Sequence, residues 1–197
     1  MTGEILRIFI ALELDEALRR SLVSLQNRLK RQTPSGSVKW VAPEGMHLTL
    51  KFLGDAPLEQ IPPIVSSLQE ACSAFSSFCL TLEGRGCFPN FRQPRVIWVA
   101  VRDENRALSR LQSAVETHVA PLGWPTESRD FTPHLTLGRV SRSADRGEIA
   151  AVGQAVESAV VGELGRQRVD RVKLIRSDLR PTGAIYSTLA EVALGDS

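Results

Sequence analysis

The tetrapeptide His-Leu-Thr-Leu occurs twice, as His47-Leu48-Thr49-Leu50 and His134-Leu135-Thr136-Leu137, in a chain that has only three histidines. This repetition constrains the fold more than any other feature. A strand alternates its side chains between two faces, so in each copy His and Thr share one face while the leucines share the other. Each copy therefore predicts a strand anchored by leucines on a core and presenting a polar pair outward. Two such strands, far apart in sequence and embedded in similar successions of strand and helix, predict an internal duplication arranged about a pseudo-twofold axis.

The flanking sequence supplies the elements. Residues 5–12 form a short apolar run rich in β-branched side chains and read as a buried strand. Asp15 then starts a helix whose apolar stripe is Leu18, Leu22, Leu25 and Leu29, ended by Thr33-Pro34-Ser35-Gly36. Strands are expected at 38–41 and 48–53, and a helix over 58–74 with Pro62-Pro63 in its first turns, where proline is tolerated. Strands at 78–82 and 96–101 follow, then a helix over 105–119 with Leu108, Leu111, Val115 and Val119 on one side. A strand at 131–140, a moderately helical stretch at 147–161, and strands at 169–175 and 184–194 around a loop at 177–183 complete the pattern.

Composition narrows the function classes. At 43% hydrophobic and 23% charged residues the chain is an ordinary globular protein, expected to fold as one domain over residues 1–197. A net charge of +2 excludes coating of long nucleic acid by counterion release, and the arginines are interspersed with acids, as in Arg102-Asp103-Glu104. Cys72, Cys79 and Cys87 are odd in number and lack C-x-x-C spacing, so free thiols are expected. No leader-like segment and no apolar run of the ~18 residues needed to cross a bilayer is present, which predicts a cytoplasmic protein with no membrane partner.

If the two motifs meet across one cleft, they present two imidazoles and two hydroxyls to one small group, and a phosphate suits them. Displacement at phosphorus runs in line, so it gains from a base on one side and an acid on the other. Histidine takes either role near neutral pH. The hydroxyls of Thr49 and Thr136 can donate to the non-bridging oxygens, where charge builds. The residues alone leave open which histidine is acid and which is base. No H-E-x-x-H or H-x-D pattern surrounds either one, so neither a metal nor another cofactor is expected. His118, at the end of a predicted helix, reads as a C-terminal helix cation.

The chain resembles the two-histidine (2H) phosphoesterases, and within them the RNA 2′,3′-cyclic phosphodiesterases, also called 2′-5′ RNA ligases. The resemblance rests on Arg7-Ile8-Phe9-Ile10-Ala11-Leu12, on Trp40-Val41 followed by 46–54, on 131–139, and on Ser177, Gly183 and Tyr186. It implies an α+β, bilobal fold with two antiparallel sheets and outer helices around a central cleft. It implies hydrolysis of a 2′,3′-cyclic phosphate to a 2′-phosphate, with His47 as proton donor and His134 as proton acceptor. Partners would be RNA ends or cyclic nucleotides, met by a monomer.

Three further residues are candidates for substrate binding. Counting in twos, Lys51 shares the face of His47 and Thr49 and could carry positive potential toward RNA. The same count puts Arg139 with Leu135 and Leu137, away from His134, unless the strand bulges. Tyr186, with Phe9, Trp40 and Phe131, could stack a base, although core packing is the commoner fate of such rings. Two rival functions remain: ATP-independent 2′-5′ ligation at the same site, and a module that binds nucleotides or RNA ends without turnover. Water at ~55 M favours hydrolysis unless a bound RNA end exceeds that effective molarity.

Overall fold

The expected alternation of strands and helices is present in the computed structural model, which describes residues 4–103, 105–180 and 183–195. The order is β1 (Ile5–Glu13), α1 (Glu16–Gln32), β2 (Val38–Trp40), β3 (His47–Pro57), α2 (Ile61–Ser73), β4 (Phe78–Phe88), β5 (Val96–Arg102), α3 (Ala107–Val119), β6 (His134–Val140), α4 (Arg146–Ser158), β7 (Glu163–Val169), β8 (Arg171–Arg180) and β9 (Gly183–Ala193). Among the described residues these strands form two sheets, ordered β3-β1-β8-β9 and β2-β6-β5-β4-β7, with every pairing antiparallel.

Local chemistry accounts for the helices. The Asp15 carboxylate accepts from the Leu18 backbone N–H at 2.7 Å and caps α1, whose four stripe leucines are all buried. α4 opens on a reciprocal capping box between Asp145 and Glu148. α1 and α4 cover the five-stranded sheet, and α2 and α3 cover the four-stranded one. One face of each sheet is thereby buried under a helix pair.

The duplication is visible as β1-α1-β3-α2 against β5-α3-β6-α4, with β1 paired to β3 and β5 paired to β6. The halves are interlocked. After α2 the chain crosses to the other sheet, where β4 pairs with β5; after α4, β8 crosses back to pair with β1. Each first helix also crosses: α1 follows β1 but reaches β6, and α3 follows β5 but packs on β3.

Two expectations are corrected. The strand expected at 169–175 spans the junction of two strands, β7 and β8, and β7 was not anticipated. Glu163-Leu164-Gly165-Arg166-Gln167-Arg168-Val169 has neither an apolar run nor alternation, because β7 is an edge strand held through its backbone to β4. Its Gln167 also ties the sheet to the start of α1, accepting from the Asp15 N–H and donating to the Glu13 carbonyl, both at 2.8 Å. The loop expected from 177 begins later, since β8 runs to Arg180; residues 181 and 182 lie outside the described residues.

The three cysteines are free, as expected. Burial pushes the Cys72 and Cys87 thiols up to about 11, so neither forms a thiolate nucleophile near neutral pH.

Candidate active site

Strand β3 starts with the alternation its sequence predicts. Leu48 and Leu50 are buried, and His47 and Thr49 are half-buried on the opposite face. The pairing with β1 then slips by one: Ala11 lies opposite Thr49, but Ile10 lies opposite Lys51, leaving Leu50 without a partner. This is a β-bulge, and it reverses the alternation beyond it. Leu50 and Lys51 are consecutive buried residues, and Phe52 turns outward, 62% exposed.

Lys51 is consequently removed from the set of candidate ligands. It is 3% exposed, its ammonium lies 2.5 Å from the Glu116 carboxylate and donates to the Pro125 carbonyl at 3.0 Å. The count in twos failed because the extra residue is itself a leucine, as apolar as its neighbours.

Strand β6 repeats the bulge at the equivalent position. Trp98 lies opposite Thr136, Ile97 lies opposite Gly138, and Leu137 is passed over. Leu137 and Gly138 are therefore buried in succession and Arg139 is exposed on the face of His134 and Thr136. Arg139, assigned by parity to the leucine face, is corrected to the polar one. Gly138 stands where Lys51 stands in the first copy; a Cβ there would come within 2.7 Å of Val38 and 3.0 Å of Trp40, because β2 packs over it.

Each bulge carbonyl is taken up by a glutamine from the helix that crosses over to it. Gln26 on α1 donates to the Leu137 carbonyl at 3.0 Å and to the Val41 carbonyl at 2.7 Å, and is 2% exposed. Gln112 on α3 reaches the Leu50 carbonyl at 3.4 Å and the Glu116 carboxylate at 3.1 Å. The Leu137 carbonyl also accepts from the Val41 N–H at 2.9 Å, so Gln26 adds a second donor there and bridges it to the Val41 carbonyl.

A cavity of about 420 Å³ lies where the two motif strands approach each other, lined by His47, Thr49, Thr136, Arg139 and Tyr186 together with Arg7, Phe9 and Phe52. Among the described residues no carboxylate is in its lining. Neither threonine hydroxyl, and neither guanidinium of Arg7 and Arg139, has a hydrogen-bond or ion-pair partner among the described residues. Of the predicted site residues, Lys51 and His134 are outside that lining; His134 begins β6, two residues before Thr136 on the same face.

The two histidines differ in their surroundings. His47 stacks on Phe9 at 4.6 Å and meets the edge of Tyr186 at 5.0 Å. Burial lowers its pKa to about 4, with the positive charge of Arg19 acting in the same direction and Glu13 opposing. His134 lies edge-on to Phe88 at 4.9 Å, with its Nδ1 2.7 Å from the Thr132 carbonyl. A carbonyl only accepts, so Nδ1 carries the hydrogen, and in the neutral ring the Nε2 lone pair is the one available to a proton.

Other candidates separate cleanly. Phe9 and Tyr186 belong to the cavity wall, whereas Trp40 and Phe131 pack against the core. The His118 Nδ1 bonds to the Ala114 carbonyl one turn back, at 2.8 Å, a role internal to its helix. Arg7, Phe52 and Gln26 escaped sequence reasoning. Arg7 alternates with Phe9 and Ala11 and could have been placed beside the site, but the other two depend on the bulges.

The half-buried imidazole of His47, the free hydroxyls of Thr49 and Thr136 and the free guanidinium of Arg139, brought to one cavity by the two motif strands, form a site for a small anion such as a phosphate ester. The chain belongs to the LigT-like phosphoesterase family, whose model matches it twice, over residues 12–98 and 99–186. It is 35% identical to an RNA 2′,3′-cyclic phosphodiesterase of Methanothermobacter thermautotrophicus over 93% of this chain and 96% of the relative. A crystal structure of a Thermus thermophilus protein superposes with a TM-score of 0.78 at 29% identity, covering 97% of this chain and 99% of that one. Escherichia coli LigT, crystallised with 3′-AMP, shares the fold with a TM-score of 0.76 at 24% identity, over 97% of this chain and 99% of its own.

Proposed function

We propose that this phosphoesterase opens the 2′,3′-cyclic phosphate at an RNA end and leaves a 2′-phosphate, by acid-base catalysis without a metal. The carrying observation is the collection of unpartnered donors, Thr49, Thr136 and Arg139 beside His47, in a cavity with no acidic lining among the described residues. Donors that bond to nothing inside the protein are preorganised for an anion, and hydroxyls aimed at non-bridging oxygens strengthen as charge develops there. The names of relatives such as the Methanothermobacter enzyme support the substrate class.

In this mechanism His134 takes the proton of the attacking water at Nε2, its ring oriented through Nδ1 by the Thr132 carbonyl. His47 gives a proton to the departing 3′ oxygen. A donor must be protonated, whereas burial lowers the His47 pKa to about 4. The negative charge of the substrate beside it counters that shift, so His47 takes up a proton from solvent as the anion binds. Phe52 and Arg139 occupy equivalent places after the two bulges and both line the cavity, giving a base one aromatic face and one guanidinium plane, with Tyr186 behind. The two lobes act as one catalytic domain.

The test is incubation with a nucleoside 2′,3′-cyclic phosphate in excess chelator, with the product identified by phosphorus NMR. A single 2′-monoester is expected, with His47→Ala and His134→Ala each slower by two orders of magnitude or more, roughly the scale of positioned acid-base groups. Loss of activity on chelation would remove the metal-free mechanism. A 3′-phosphate product would remove the assigned leaving group.

A further inference from the structure

Arg7 stands on β1 in the cavity that holds His47 and Thr49, but at a distance from them. The cavity face of β1 presents Ala11 opposite Thr49, then Phe9 opposite Phe52, then Arg7 opposite Asp55. Four residues of strand separate Ala11 from Arg7, about 13 Å along the sheet. Between the two lies Phe9, buried and stacked on His47, paired across the strands with Phe52, whose 62% exposed ring is centred 5.9 Å from that of Phe9. The order along the floor is therefore anion donors, aromatic surface, and a second cation.

The second cation is unclaimed. Asp55 sits across the strand pair from Arg7, yet no ion pair forms, and the guanidinium has no partner among the described residues. A cyclic phosphodiester carries one negative charge, for which His47, Thr49, Thr136 and Arg139 already supply donors. A further guanidinium beyond an aromatic platform fits a second charge on the far side of a nucleoside. Nucleic acid has that alternation, phosphate then sugar and base then phosphate, and the reach of an extended arginine closes the gap.

We propose that Arg7 binds the phosphodiester on the 5′ side of the terminal nucleotide, so that the site selects the end of an RNA chain over a free cyclic nucleotide. This rests on the catalytic reading above and adds a specificity residue to it. Leu179, 67% exposed and lining the same cavity, offers apolar surface to the neighbouring nucleoside.

The experiment compares Arg7→Ala with wild type on cytidine 2′,3′-cyclic phosphate and on a cytidine dinucleotide ending in the same cyclic phosphate. Loss of one phosphate contact is expected to lower kcat/KM on the dinucleotide about tenfold and to leave the mononucleotide unchanged within about twofold. The salt dependence of the dinucleotide reaction should also become shallower by about 0.7 in log-log slope, the share of a single contact to a single strand. Equal losses on both substrates, or no loss on the dinucleotide, overturn the proposal. If wild type turns over neither compound, the catalytic reading fails; Arg7 is then tested by calorimetric binding of the matching 2′-phosphate mononucleotide and dinucleotide. An affinity gain for the dinucleotide that Arg7→Ala removes supports the role, and equal affinities overturn it.

Discussion

His47 shows how one side chain couples the site to stability. Its imidazole is held between Phe9 and Tyr186, and burial lowers its pKa from 6.5 to about 4. A histidine that resists protonation when folded binds fewer protons than in the unfolded chain, so stability rises with pH across that interval. The penalty is absent above pH 6.5, grows as pH falls, and is complete below 4, reaching about 3 kcal/mol. His47→Gln is therefore expected to flatten the pH dependence of the urea midpoint between pH 4 and 6.5. Parallel curves for variant and wild type would show that the imidazole is not buried as described.

At the scale of elements, the bulges at Leu50 and Leu137 decide which residues reach the cavity. A strand's hydropathy pattern reports which face is apolar, but a bulge that inserts one more leucine leaves that pattern intact. Helix α1, by contrast, was fully legible: its stripe of four leucines and its Asp15 cap both appear as expected. Gln26 is the test of the second bulge. Gln26→Met removes the side-chain donor shared by the Leu137 and Val41 carbonyls; Leu137 keeps the Val41 N–H, and the part-buried Val41 carbonyl loses the Gln26 donor, at a cost of about 1 kcal/mol. If Gln26 holds the turn that aims Arg139, the variant raises KM by roughly tenfold with little change in kcat, and Arg139→Ala adds little on top of it. Multiplying effects in the double variant would mean that the two residues act separately.

At the scale of the whole molecule, neither half builds its own part of the site. α1 of the first half braces the motif strand of the second, and α3 of the second braces that of the first. The buried pair of Lys51 and Glu116 is a further link between the halves, and Glu116 also accepts from the Glu127 N–H at 3.1 Å. Lys51→Met leaves the Glu116 charge buried without its partner and is expected to cost about 3–5 kcal/mol, read from denaturant midpoints. Lys51→Met with Glu116→Leu should regain most of that loss, since two apolar groups replace an ion pair without a stranded charge. A double variant no more stable than Lys51→Met would show that the pair is not the source of the effect.

The sequence by itself determined the chemistry on offer: two copies of His-x-Thr, each backed by leucines, in a chain of strands and helices repeated twice. It also determined that the copies lie on strands, since alternation over four residues is a local property. Which side chains join them was decided by tertiary structure alone. Lys51 went to the core and Arg139 to the cavity because each strand gains one unpaired residue, and that residue is stabilised by glutamines from the opposite half of the chain. A bulge is a property of two strands in register, and no single strand carries the information that specifies it.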